Sequence, residues 1–280
     1  MTVLKHDGLA VYVFEDGEPI LFMPGPHRFQ KPGDHSADAI IEGLTQIGRT
    51  VITFDPPESG QSTRPSNLGM VEMHQCACEA LDICGVEGAV DALGHSMGGL
   101  TTLAFAIEWP ARVKRLVLVG TGTGGRAYMG APGALWNRSH PAFWRMAALG
   151  TLHILWPRRA TEKMLNNFIQ RQSTVDPRWH APVKVKPADW LRPRRGRADW
   201  HRIANKLDYG PRLVEVSAPT LVLCGRHDPQ YPPECSQELA SRIPGAQIVF
   251  FEHSGHYPFL EEAETFWAVV QGFLRSSCET

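Results

Sequence analysis

Short apolar runs recur along the chain, separated by stretches in which apolar positions return every three or four residues. The runs near Ala10–Phe14, Ile20–Met23, Thr50–Phe54, Ala89–Leu93, Arg115–Val119, Thr220–Cys224 and Gln247–Phe251 are rich in β-branched residues and leucine, and they predict strands. The intervening stretches near Ser36–Ile47, Met70–Cys84, Met97–Glu108, Pro233–Ser241 and Glu261–Leu274 predict helices. Gly85 supplies a stop after Cys84, and Pro110 closes the helix that starts at Met97. Strands alternating with helices predict an α/β protein whose mostly parallel sheet is covered on both faces.

One strand-to-helix junction carries chemistry. The run Val90-Asp-Ala-Leu-Gly-His-Ser96-Met-Gly-Gly-Leu100 turns sharply from strand to helix at a serine flanked by Gly94 and Gly98. This is the G-x-S-x-G spacing of a nucleophile elbow. So tight a turn strains the backbone at the serine, and the two glycines remove Cβ atoms that would collide with it. Ser96 Oγ is then presented above the sheet at a helix N-terminus, where unpaired N–H groups favour negative charge.

Five residues alone would also fit a glycine-rich turn with a capping serine, so the partners decide. A hydroxyl needs a base and the base needs an orienting acid; in this architecture both follow the serine, acid first. Asp228 lies just past the strand-like run that starts at Thr220, and His256 just past the run Gln247–Phe251. All three residues fall where the C-terminal end of a strand meets a loop, the usual ligand position of open α/β sheets. Competing residues read differently. His95 is expected to pack locally, leaving the turn in another direction; His227 and His253 read as loop or surface residues, and Asp91 as a strand residue facing a neighbouring layer. An acid after the strand Arg115–Val119 is ruled out because Gly120-Thr-Gly-Thr-Gly-Gly offers no carboxylate.

Composition narrows the class. With 280 residues, 43% of them hydrophobic, and a net charge of −1, the chain can bury a large core and is not disordered. No apolar stretch approaches the length of a membrane span, and the N-terminus lacks a secretory pattern. The six cysteines, at 76, 78, 84, 224, 235 and 278, follow neither a disulfide framework nor a zinc-ligand spacing. They are expected to be reduced thiols in a cytoplasmic protein that calls for no cofactor and no metal.

The near-neutral total hides a polarised molecule. Between Gly124 and Lys206 there are 16 Lys and Arg against 4 Asp and Glu, about +12, while the rest of the chain has 12 against 25, about −13. The same segment holds six of the eight tryptophans, at 136, 144, 156, 179, 190 and 200. Helical spacing is evident at Ala142–Leu155 and Thr161–Gln172, while prolines at 177, 182, 187 and 193 break the pattern. Residues 124–206 are therefore expected to form a cap or lid over a core made of 1–123 and 207–280. Its charge has three readings: docking on the acidic core, attraction of an anionic substrate, or contact with nucleic acid or an anionic membrane through Arg192-Pro-Arg-Arg-Gly-Arg197 beside Trp190 and Trp200. The third is the least favoured.

On the elbow and the order Ser96, Asp228, His256, the chain resembles the α/β-hydrolase superfamily over nearly its whole length. Three further segments add to the resemblance. Phe54-Asp-Pro-Pro-Glu-Ser-Gly60-Gln-Ser62 is similar to the turn D-x-R/P-G-x-G-x-S, with Glu58 where glycine is common, and Gly255-His256 with Glu261 and Phe266 is similar to the histidine loop. Met23-Pro24-Gly25-Pro26-His27 falls where the family carries H-G-x-P. The resemblance then implies an oxyanion hole formed by the N–H groups of Gly25 and Met97. A register one residue later would put Pro26, which has no N–H, at the donor position.

The resemblance implies a serine hydrolase of a small-molecule ester, thioester or lactone, acting through Ser96, His256 and Asp228 and an acyl-enzyme. A carbon–carbon hydrolase would use the same triad. A prolyl iminopeptidase-like activity is disfavoured, because the cap offers only Glu162, Asp176, Asp189 and Asp199 to hold a cationic amine and the elbow is not of the Gly-Ser-Trp type. Haloalkane dehalogenases and epoxide hydrolases are disfavoured because their elbow carries aspartate. A ligand sensor of low turnover on the same fold is the alternative from another class.

Overall fold

The computed structural model describes residues 1–14, 17–23, 36–65, 70–124, 130–131, 133–135, 137–156, 158–180 and 206–276. Eight strands form one sheet: β1 (Thr2–His6), β2 (Leu9–Phe14), β3 (Glu18–Met23), β4 (Arg49–Asp55), β5 (Val90–His95), β6 (Val113–Val119), β7 (Thr220–Gly225) and β8 (Gln247–Phe251). Their order is β1-β2-β4-β3-β5-β6-β7-β8. β2 runs antiparallel to β1 and β4, and all other neighbours are parallel. All seven strands expected from the sequence are present. The additional one, β1, is an edge strand with a largely exposed surface, so it lacks the apolar run that marks the others. Its hairpin turn is made by Asp7 and Gly8, both at positive φ (43° and 78°), the Asp-Gly turn that matches strand twist.

Alternation along each strand splits the core in two. Leu9, Val11, Leu21, Ile52 and Phe54 point to one face and pack with helices α2 (Met70–Ile83) and α3 (Met97–Glu108). Ala10, Tyr12, Ile20 and Val51 point to the other and pack with α1 (Ser36–Gln46) and the C-terminal helix. That last helix departs from expectation. The stretch Glu261–Leu274 is not one helix: a single turn, Pro258–Glu261, is separated from Ala263–Arg275 by Glu262 at φ −127°, ψ 48°. The break turns the Glu262 carboxylate onto the histidine loop, where it accepts from His253 N–H (3.0 Å) and Ser254 Oγ (2.6 Å).

Asp91 is a strand residue, as expected, and it is paired. It is buried near the start of β5 between two buried arginines, Arg49 from β4 and Arg115 from β6, the ion-pair partners that the sequence does not show. The trio lies at the end of the sheet opposite the elbow.

Between β6 and β7, helices α4 (Phe143–Leu155) and α5 (Arg159–Ser173) pack against each other, while Pro233–Arg242 (α6) follows β7. The stretches on either side of this segment lie next to each other: Tyr209 N–H donates to Thr123 O (2.8 Å), and a Cβ on Gly124 would come within 2.1 Å of Leu207 O. Among the described residues no helix is long and apolar enough to cross a membrane.

Candidate active site

Ser96 sits between the end of β5 and the first turn of α3 at φ 57°, ψ −125°, a conformation that L-residues rarely adopt. Its neighbours hold it there. The Ser96 N–H donates to Val119 O (2.9 Å), and its carbonyl accepts from Gly99 N–H (3.0 Å), Leu100 N–H (3.3 Å) and Thr121 Oγ1 (2.7 Å). Glycine at 94 is required, but by α3 rather than by a collision with Ser96: a Cβ there would lie 2.1 Å from Thr102 Oγ1 and 2.3 Å from Gly98 O. Gly99 is equally constrained: its Cβ would meet the Thr121 side chain at 2.5 Å. That second constraint comes from β6's following loop and leaves no trace in the pentapeptide.

Asp228 and His256 follow β7 and β8, neighbouring parallel strands, so their loops meet although 28 residues separate them. His256 Nδ1 is 2.7 Å from Asp228 Oδ2, and both side chains are buried. The second carboxylate oxygen accepts from Gln230 N–H (2.8 Å) and Tyr231 N–H (3.0 Å), which fixes the acid's orientation. An ionised carboxylate only accepts, so the imidazole proton belongs on Nδ1 and the lone pair on Nε2.

The residues on either side of Ser96 tie it to this pair. The His95 ring lies 4.6 Å from the His256 ring, and His95 Nε2 is 2.9 Å from the His256 carbonyl oxygen. His95 therefore packs, as expected, but against the candidate base itself. On the other side, Met97 Sδ accepts from Tyr231 Oη (3.2 Å), and the Tyr231 ring is nearly parallel to the imidazole at 6.1 Å. Tyr231 was not singled out in the sequence; its place three residues after the acid was the available signal. In the sequence Gly120 reads only as part of a run without carboxylates. It stands at φ +49°, and a Cβ would lie 3.1 Å from Asp228 Oδ2 and 3.3 Å from His256 Nδ1. His227 and His253 are exposed, as expected of loop residues.

The remaining candidates divide. Met97 opens α3, where its backbone N–H has no partner a helical turn earlier. Met23, the last residue of β3, pairs with Gly94 of β5, two residues before Ser96. Gly25 itself, with Pro24, Pro26 and His27, lies outside the described residues, as do Arg192–Arg197, Trp136, Trp190, Trp200 and Cys278. The described cysteines are free. Burial first, then the nearby Asp228 charge, raises the thiols of Cys224 and Cys235, the latter to about 12. Both stay protonated and are not nucleophiles.

The comparisons agree with this geometry at the level of fold. A family model described as the alpha/beta hydrolase fold matches residues 32–263. A 2-hydroxy-6-oxononadienedioate/2-hydroxy-6-oxononatrienedioate hydrolase of Klebsiella pneumoniae subsp. pneumoniae is 29% identical over 248 residues, 84% of this chain and 79% of that protein. Among solved structures, an alpha/beta fold family hydrolase from Bacillus anthracis str. Sterne superposes with a TM-score of 0.79 at 19% identity, covering 97% of this chain and 98% of the other. An esterase from Exiguobacterium antarcticum does so with a TM-score of 0.72 at 18% identity, covering 96% of each.

Proposed function

Because the chain belongs to the α/β-hydrolase fold family, we propose that it is a serine hydrolase in which Ser96 is the nucleophile, His256 the base and Asp228 the residue that orients it. The observation that carries the proposal is the buried 2.7 Å contact between His256 Nδ1 and Asp228 Oδ2, beside an elbow whose flanking residues touch His256 and Tyr231. In the proposed reaction His256 Nε2 takes the Ser96 proton as Oγ attacks an acyl carbon. Asp228 stabilises the imidazolium, and the N–H groups of Met97 and Gly25 receive the oxyanion. His256 then returns the proton to the leaving group, and water activated by the same residue releases the acid from the acyl-enzyme.

The substrate class we propose is a small ester, thioester or lactone held under residues 124–206 acting as a cap, whose positive charge favours an anionic acyl compound. A second reading is carbon–carbon bond hydrolysis. It is favoured by the similarity, over 84% of this chain, to a hydrolase whose name denotes a dioate, a substrate class that a basic cap would also suit. A fluorophosphonate probe read by intact mass tests the nucleophile. One adduct on the wild type and none on Ser96→Ala is expected; a folded wild type that takes no adduct would count against an activated serine. Turnover of p-nitrophenyl esters against that of vinylogous diketo acids then separates the two bond types.

A further inference from the structure

Helix α5 ends against both loops that carry the candidate acid and base. Ser173, its last residue, accepts through its carbonyl oxygen from His256 N–H (2.6 Å), and through Oγ from Gln230 Nε2 (2.9 Å). Gln230 in turn donates its backbone N–H to Asp228. The fit leaves no slack: a Cβ on Gly255 would lie 2.2 Å from Ser173 O. Beyond α5, the chain of residues 175–176 meets Glu261. One carboxylate oxygen, Oε1, accepts from Val175 N–H (2.6 Å) and Asp176 N–H (2.9 Å), and the other, Oε2, from Gly255 N–H (2.7 Å).

We propose that Glu261 is a positioning residue: its carboxylate pins the end of the helical segment to the histidine loop, so that the placement of α5 sets the placement of the His256 imidazole. The proposal rests on the serine-hydrolase reading for its catalytic consequence, and on the hydrogen bonds alone for the coupling. Only a carboxylate can do this. Three N–H donors converge on it from two sides, whereas an amide has one accepting oxygen and must turn its NH2 toward one of the two sides. Neighbouring Glu262 makes the contrast. It holds the same loop through His253 and Ser254, whereas Glu261 also reaches the segment that follows α5. Ligand contacts that shift α5 would reach His256 through Ser173 and Glu261, two links that lie outside the reacting atoms.

The test compares Glu261→Gln, Glu261→Asp and Glu262→Gln in the full chain by two readouts. Amide hydrogen exchange comes first. E261Q is expected to speed exchange at least tenfold at Val175, Asp176 and Gly255 and also at His256, whose amide bonds to Ser173 and not to Glu261; E262Q is expected to act on 253–254 only. Fluorophosphonate labelling of Ser96 across pH is the second readout. E261Q is expected to label at least tenfold more slowly per folded molecule, with E261D recovering part of the rate. An unchanged His256 amide overturns the coupling, and an unchanged labelling rate with lost thermal stability reduces Glu261 to a structural role. Failure of the wild type to label defeats the serine-hydrolase reading instead, and the exchange data still decide the clamp. If E261Q does not fold, Glu261→Asp against wild type carries the same comparison.

Discussion

At Gly120 a single hydrogen in place of a side chain keeps the acid and base together. A methyl group would sit 3.1 Å from Asp228 Oδ2 and 3.3 Å from His256 Nδ1, and the backbone is at φ +49°, where an L-residue is strained. Gly120→Ala is therefore expected to displace the imidazole by a few tenths of an ångström and to slow Ser96 labelling by about tenfold, less than the roughly 10²-fold of a full-ångström misplacement. Labelling kinetics at matched folded concentration would check this, and a variant that labels at the wild-type rate would show the contact to be slack. Glu58 teaches the converse. It occupies a position where related turns carry glycine, and the reason is visible in its φ of 56°. The turn survives the strained residue because Asp55 closes it, accepting from Gln61 N–H (2.7 Å) and Tyr12 Oη (2.6 Å).

Among the elements, β5 leads to the candidate nucleophile at one end and holds a buried ion cluster at the other. Asp91 near its start lies between Arg49 and Arg115, all three buried, while Ser96 follows its last residue. Removing the carboxylate would leave Arg115 desolvated without its carboxylate partner, and Arg49, among the described residues, with Glu18 alone (3.0 Å). Asp91→Ala is expected to cost about 3–5 kcal/mol, read as a lower urea midpoint, because one partner of a buried cluster is removed and the others remain. A loss under about 1 kcal/mol would mean that water reaches the arginines and the cluster acts as a surface pair. The sequence showed Asp91 as a charged residue in an apolar strand but not its partners, since Arg49 and Arg115 reach it only through the strand order β4-β3-β5-β6.

For the molecule as a whole, a loss of stability toward acid pH is expected from a buried histidine on α2. His74 on α2 is buried, its Nε2 finds no hydrogen-bond partner among the described residues, and burial lowers its pKa to about 4, with Glu108 opposing. The unfolded chain takes that proton near pH 6.5, before the folded one does, so stability is full above about 6.5 and declines as pH falls toward 4. Between pH 7 and pH 5 this one residue is expected to remove about 2 kcal/mol. Urea melts of wild type and His74→Phe at both pH values would isolate it, since the variant should lose that part of the pH dependence. Equal pH dependence in both would assign the lability to other groups.

The sequence by itself determined the α/β class, seven strands, the elbow and the order of the three candidate residues. Those features are local: apolar periodicity, turn glycines, and loops just past strand ends follow from the backbone's own rules. The oxyanion position at Gly25 stays an expectation from resemblance. Tertiary structure alone decided the rest, because it depends on which loops become neighbours. The parallel pairing of β7 with β8 brings Asp228 to His256. The pairing of β5 with β6 sets Gly120 and Thr121 beside the elbow. The return of the chain after α5 delivers Val175 and Asp176 to Glu261, 86 and 85 residues away. Hydrogen bonds across such separations carry no local sequence signature, since any carboxylate can accept them and any backbone N–H can donate them.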